Sequence, residues 1–321
     1  MSGSPKPSRW AIDLDPGMHS GKAARHVLNN RFAAIRAAAE TTIKKNEHDT
    51  DALRRLRVAT RRGAEAIGAF SAITDEESSK RTIRRLKKIR REAGAVRDYD
   101  LMLASLRTLQ DNPPTKQTLP AIEHCLEHAP SHRDKAYLRF LDSTPKRAAK
   151  FETDSATLLE SIRDKASGSP LSALASPIFA GFSDRLHRIT AQEILEDPHQ
   201  LRIELKKLKY TLEIFIGCAS DKDVMLTAHA DLARAQDMLG EMNDAEELEN
   251  QINSLLSESD PSDLVRENAA ILTAALRKRT LALRGAAQAW WTEQGGRGFV
   301  ENIAIVCGAT IANHTALEHR S

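Results

Sequence analysis

Two stretches of this chain recur in the same order at almost the same distance, and nothing else in the sequence constrains the fold as much. "LRRLRVATRR" (Leu53 to Arg62) matches "PHQLRIELKK" (Pro198 to Lys207) 145 residues on. The match shares Leu-Arg at 56–57 and 201–202 and a basic pair at 61–62 and 206–207. "LKKIRREAGAVRDYD" (Leu86 to Asp100) matches "LARAQDMLGEMNDAE" (Leu232 to Glu246) 146 residues on, keeping Gly94 with Gly240 and Asp98 with Asp244. Two ordered matches predict a tandem duplication of one structural unit.

That unit is helical. Apolar residues recur at the helical period over 20–46, 50–73, 77–110, 116–128, 133–165, 170–196, 198–218, 222–257 and 262–293. Breaks are expected at "DNPPTK", "HAPSH", "SGSP", "EDP" and "SDPSD", where proline, glycine and cap-forming residues gather. Strand-type alternation of useful length is missing, so the fold class is all-α. The duplication predicts two similar four-helix bundles facing each other across a basic groove. Repeat one spans about 19–165 and repeat two about 170–292, with an extension at 1–18 and a tail at 293–321.

The net charge of +3 conceals a strong asymmetry. Residues 80–91 hold eight basic residues and no acid, whereas 241–270 hold nine acids against the single Arg266. A concentrated positive face attracts polyanions. Within "HQLRIELKKLKYTLEIF", Leu201, Leu205, Leu208 and Leu212 form a core stripe. His199, Arg202, Lys206 and Lys209 form a second stripe about a third of a turn away. Arg54, Arg57 and Arg61 repeat that stripe, and Lys80, Arg84, Lys87, Lys88 and Arg91 make a third row. Each row presents a cation roughly every 5 Å, a spacing that can follow a chain of phosphates. Gly94 and Gly240 stand inside helical patterns, where close helix–helix approach would explain them. "RDYD" (97–100) and "NDAE" (243–246) are expected to carry packing and ion-pair roles, and Glu65 and Glu213 to hold nearby arginines.

These paired motifs resemble the CHAD (conserved histidine α-helical domain) family, whose repeats read "HxLRVxxRRLR" followed by "LxxLxxxLGxxRDxD". The resemblance covers roughly 19–292. It departs at Arg54, which stands in place of the first histidine, at Gly63, at Lys206 and Lys207 in place of arginines, and at "NDAE". It implies non-catalytic binding of inorganic polyphosphate, with other polyanions competing and no cofactor. The binding set it implies is Arg54, Arg57, Arg61, Arg62, Arg84, Lys87, Lys88, Arg91, His199, Arg202, Lys206, Lys207 and Lys209.

Two alternatives stand beside this. Sequence-independent nucleic-acid binding would use the same rows, although aromatics for base stacking are scarce, at 4 % of the chain. "HCLEH" fits H-x-x-E-H, in which His124 and His128 would hold zinc and Glu127 act as base, with Pro130 ending the helix just beyond. No apolar run is long enough to span a membrane, and "MSGSPKPSRWAIDLDPG" has no signal-peptide core. Three scattered cysteines fit a reducing cytoplasm, where polyphosphate granules are the expected address.

Overall fold

A computed structural model describes residues 14–44, 49–162, 169–192, 198–218 and 222–291. The tail at 293–321 lies outside these residues, as does most of the N-terminal extension. Among the described residues the chain forms eight α-helices and no named strand. They are α1 (Ser20–Lys44), α2 (Thr50–Ala69), α3 (Glu76–Asp111), α4 (Leu119–Glu160), α5 (Leu171–Gln192), α6 (Pro198–Phe215), α7 (Lys222–Ser259) and α8 (Asp263–Ala289). None is long and apolar enough to cross a membrane. Local chemistry sets the starts. Asp49 caps α2 by accepting from the Ala52 amide at 2.8 Å, and Asp75 caps α3 from the Ser78 amide at 2.8 Å. Each such cap is worth about 1 kcal/mol.

The predicted break at "HAPSH" does not occur. The segments expected at 116–128 and 133–165 are one 42-residue helix, α4, which runs through Pro130 and Pro145. An internal proline costs a helix about 3 kcal/mol, and packing offsets that here. Cys125 and Ala129 are fully buried on one side of Pro130. On the other side Arg133 Nε donates to Asp100 Oδ1 of α3 at 3.1 Å, with both side chains buried.

Helices α1 to α4 pack as consecutive neighbours, and α4 returns to α1. In the second half α5 packs on α6, α6 on α7 and α7 on α8. The halves meet where α2 packs on α6, α1 on α5, α3 and α4 on α7, and α4 on α8. Their cores are continuous. Leu28, Phe32, Leu56, Ile67 and Phe151 belong to the same buried cluster as Leu201, Leu205, Leu208, Phe215 and Leu232. Helices α3, α4, α7 and α8 also build a second, distal core, with Leu106 and Ile122 against Ile252 and Leu272. The stripe Leu201, Leu205, Leu208 and Leu212 is buried as its period predicts. Leu14, the first described residue, is buried, and a Cβ at Gly217 would meet its carbonyl oxygen at 2.1 Å. Only glycine fits under that passing backbone.

One ion cluster joins both halves. Glu213 of α6 is wholly buried. Arg62 of α2 donates to it twice, Nε to Oε2 at 2.6 Å and Nη2 to Oε1 at 2.7 Å. Arg31 of α1 lies 3.8 Å away and His229 Nε2 of α7 at 3.4 Å. Burial pushes the Glu213 pKa up. The hydrogen bonds from His229 and Arg62 and the charges of Arg62 and Arg31 outweigh burial and hold the carboxyl below its ordinary 4.5. Its contribution to stability is therefore complete above about pH 4.5 and is lost as pH falls through the lower folded value. Glu213→Gln should cost about 3–5 kcal/mol in denaturant unfolding near neutral pH, because it strands buried guanidinium groups. It should also flatten the acid limb of the stability profile. Leu205→Ala, at a fully buried position, should cost about 2–5 kcal/mol in the same assay.

Candidate polyanion site

Helices α2 and α6 pack with their basic faces together. Four-residue spacing places Arg57 with Arg61, and Arg202 with Lys206, one turn apart on a shared face. Each half completes the arrangement in the same way. Arg57 Nη1 reaches Asp98 Oδ1 of α3 at 3.2 Å, and Arg202 Nη2 lies 3.9 Å from Asp244 Oδ1 of α7. Gly94 makes room for its arginine, whereas at Gly240 the contact is an ordinary one. A Cβ at Gly94 would meet Arg57 Nη1 at 2.7 Å, and at Gly240 the nearest atom is Arg202 Nη2, at 3.8 Å. A guanidinium, not a neighbouring backbone, lies over each glycine, which corrects the expectation of close helix–helix approach.

Arg90 of α3 joins the group, which sequence spacing could have shown, since Arg90, Gly94 and Asp98 lie four apart on one helix face. The cluster holds Arg57, Arg61, Arg90, Arg202 and Lys206, opposed by Asp98, Asp244 and Glu65. The acids neutralise it poorly, because the Asp98 and Asp244 side chains are 42 % and 60 % exposed and solvent screens them. Burial lowers the pKa of Arg61, and Arg57, Arg90 and Arg202 lower it further, against the opposing pull of Tyr210. Burial likewise lowers that of Arg90. Lys206 moves most. Burial, Arg61 and Arg202 bring it down from 10.5 to about 7, with Arg57 adding to the effect and Asp244 opposing it. Burial raises the pKa of Asp98, and Asp244 adds to the rise, against the pull of Arg57. The buried Nε of Arg202 has no hydrogen-bond partner.

The remaining predicted residues separate into three sets. Arg62, Lys207 and Lys209 are occupied within the protein. Arg62 holds Glu213 and stacks 5.5 Å from the Tyr210 ring centroid. Lys207 Nζ donates to the buried Glu204 at 2.8 Å, and Lys209 Nζ to Gln236 at 3.1 Å. Arg84, Lys87, Lys88 and Arg91 form an exposed row on α3, about 100° round the helix from Arg90. Arg84 and Arg91 lie near acids of their own helix, Glu77 at 4.0 Å and Glu92 at 3.6 Å. His199 and Arg54 hold repeat-equivalent exposed positions at the starts of α6 and α2. His199 lines a cleft with Arg202, Asn243, Glu246 and Arg284, whose buried Nε also lacks a partner. Sequence inspection did not find Arg284, because α8 carries neither matched motif.

The "HCLEH" residues have other uses. The rings of His124 and His128 stack, with centroids 4.1 Å apart. His124 Nε2 lies 2.8 Å from Ser259 Oγ, and His128 Nδ1 donates to the His124 carbonyl at 2.8 Å. Among the described residues no group of three or more His, Cys, Asp or Glu side chains converges as a metal cage.

The description of the CHAD domain family matches residues 26–253. No curated protein matches the chain. Among solved structures, it is similar to the CHAD domain from the plant Ricinus communis, at 22 % identity and a TM-score of 0.67, over 89 % of this chain and 98 % of that one. It is also similar to PptA from Streptomyces chartreusis, at 17 % identity and a TM-score of 0.65, over 85 % of this chain and 99 % of that one. With its helices arranged as in these structures and the family description covering more than two thirds of its length, the chain belongs to the CHAD domain family.

Proposed function

We propose that the protein binds inorganic polyphosphate, without turning it over, through Arg57, Arg61, Arg90, Arg202 and Lys206 at the α2–α6 seam. The observation that carries the reading is a half-buried group of five basic side chains whose charge the neighbouring acids offset only in part. Like charges held together in a poorly hydrated place raise the energy of the empty protein, and an entering anion relieves it. The unmet Arg202 Nε gains an acceptor at the same time, and guanidinium forks suit phosphate oxygens. Polyphosphate binding is a property of this family, which supports the assignment. His199, which lines a cleft with Arg202, extends the positive surface, and Arg54 and the exposed α3 row offer further cations to a long chain. A thin, flexible polyanion reaches half-buried guanidiniums more readily than the phosphates of a stiff duplex do. The expected setting is the reducing cytoplasm, which suits the buried free thiols Cys125 and Cys218.

Calorimetry at one fixed salt concentration should show tighter binding of polyphosphate than of duplex DNA of equal charge, and equal or tighter DNA binding would overturn the reading. Replacing Arg57, Arg61, Arg202 and Lys206 with glutamine should weaken binding and flatten its salt dependence by about one unit of slope per lost phosphate contact. The same variant should melt at or above the wild-type temperature without ligand, because like charges are gone. It should also lose most of the ligand-induced rise in melting temperature that binding to the native state requires. On gels, polyphosphate chain length should stay constant with added magnesium, manganese or zinc. Shortening that disappears in His124→Ala or Glu127→Ala would instead establish a hydrolase.

A further inference from the structure

Lys206 differs in kind from the other cations of the seam. Guanidinium groups stay protonated in proteins, whereas a lysine loses its proton readily when buried. Its repeat equivalent is Arg61, so the duplication has placed a titratable cation in one half and a permanent one in the other. Arg57 and Arg61 act on Lys206 from α2, Arg202 from one turn earlier on α6, and Asp244 from α7. On α3, Arg90 faces Arg57, and Asp98 faces both Arg57 and Asp244. Three guanidiniums therefore oppose the charging of this amine, and a single, largely exposed carboxylate favours it.

We propose that capture of a polyanion at this seam is coupled to proton uptake by Lys206, a half-buried amine at the contact of α2 and α6 that the guanidiniums of Arg57, Arg61 and Arg202 surround and that becomes a full ammonium contact when phosphate arrives. The inference rests on the polyphosphate reading given above. The only covalent change is one N–H bond, formed with a proton from solvent. The arriving phosphates bring negative charge to Nζ and offset the three guanidiniums, so the charged amine is favoured in the complex. Burial and the three guanidiniums set the empty-state pKa at about 7. Above that pH the complex holds more protons than the free protein, and affinity falls as pH rises. By linkage the fall approaches about tenfold per pH unit. Below it both states are charged and affinity levels off.

The test is calorimetry of the full chain with long-chain polyphosphate. Its interior units each carry one strongly acidic charge, and the two chain ends, which titrate near neutrality, are few per bound site in a long chain. Titrations at pH 8 in Hepes and in Tris, whose ionisation enthalpies differ, give the protons taken up. The wild type should take up close to one proton per site and bind more weakly at pH 8 than at pH 6. Lys206→Arg should bind at both pH values with no uptake, and Lys206→Gln should bind more weakly at pH 6 and also show none. Binding by the wild type with the same heat in both buffers would overturn the proposal alone, as would uptake that persists in Lys206→Arg and Lys206→Gln. Absence of polyphosphate binding at pH 6 in the wild type would overturn the polyphosphate reading as well.

Discussion

The bidentate pair between Arg62 and the buried Glu213 is the interaction on which the rest of this molecule depends. It ties α2 to α6, and with Arg31 and His229 it reaches α1 and α7. About two turns along α6 from Glu213, the same two helices press Arg57 and Arg61 towards Arg202 and Lys206. Attraction at one level of the seam holds repulsion in place at the next. A buried ion pair is weak evidence for stability in general. Here it does something narrower, since it joins two helices whose half-buried cations would otherwise push apart.

The two repeats agree where geometry demands it and differ where chemistry allows it. Arg57, Gly94 and Asp98 recur as Arg202, Gly240 and Asp244, with each arginine lying over its glycine and beside its aspartate. Around this shared frame the polar residues diverge, Arg61 to Lys206, Glu65 to Tyr210 and Arg90 to Gln236. One half of the seam therefore carries a guanidinium where the other carries an amine. Tyr210 lies beside Arg61 and Arg62, so the aromatic of one repeat supports the cations of the other.

Much of this was readable in the sequence because the helical period is a strong signal. The leucines of α6 are buried as spaced, and the motif matches place α2 beside α3 and α6 beside α7 in equivalent roles. The misreadings have physical causes. Pro130 looked like a helix end because a local rule cannot register that Ala129 is buried and that Arg133 is held by Asp100 of α3. Gly94 looked like a backbone crossing because sequence does not say which group passes over it. Basic residues adjacent on a helix also went to different fates. Arg90 turns in to the cluster while Arg91 stays in solvent, and Arg61 faces the seam while Arg62 is spent on Glu213. Composition counts them alike, and only the acids brought near by the fold separate them.

The distal core formed by the far ends of α3, α4, α7 and α8 bears on how such a chain can change over generations. It joins the two halves at a place that does not rely on the charged seam. Substitutions that alter the number or type of cations therefore leave the mutual orientation of the halves in place. Selection can alter the charge of the seam one residue at a time, while the scaffold tolerates each intermediate. Divergence of one repeat from the other then becomes a source of new specificity, with no step at which the fold must be rebuilt.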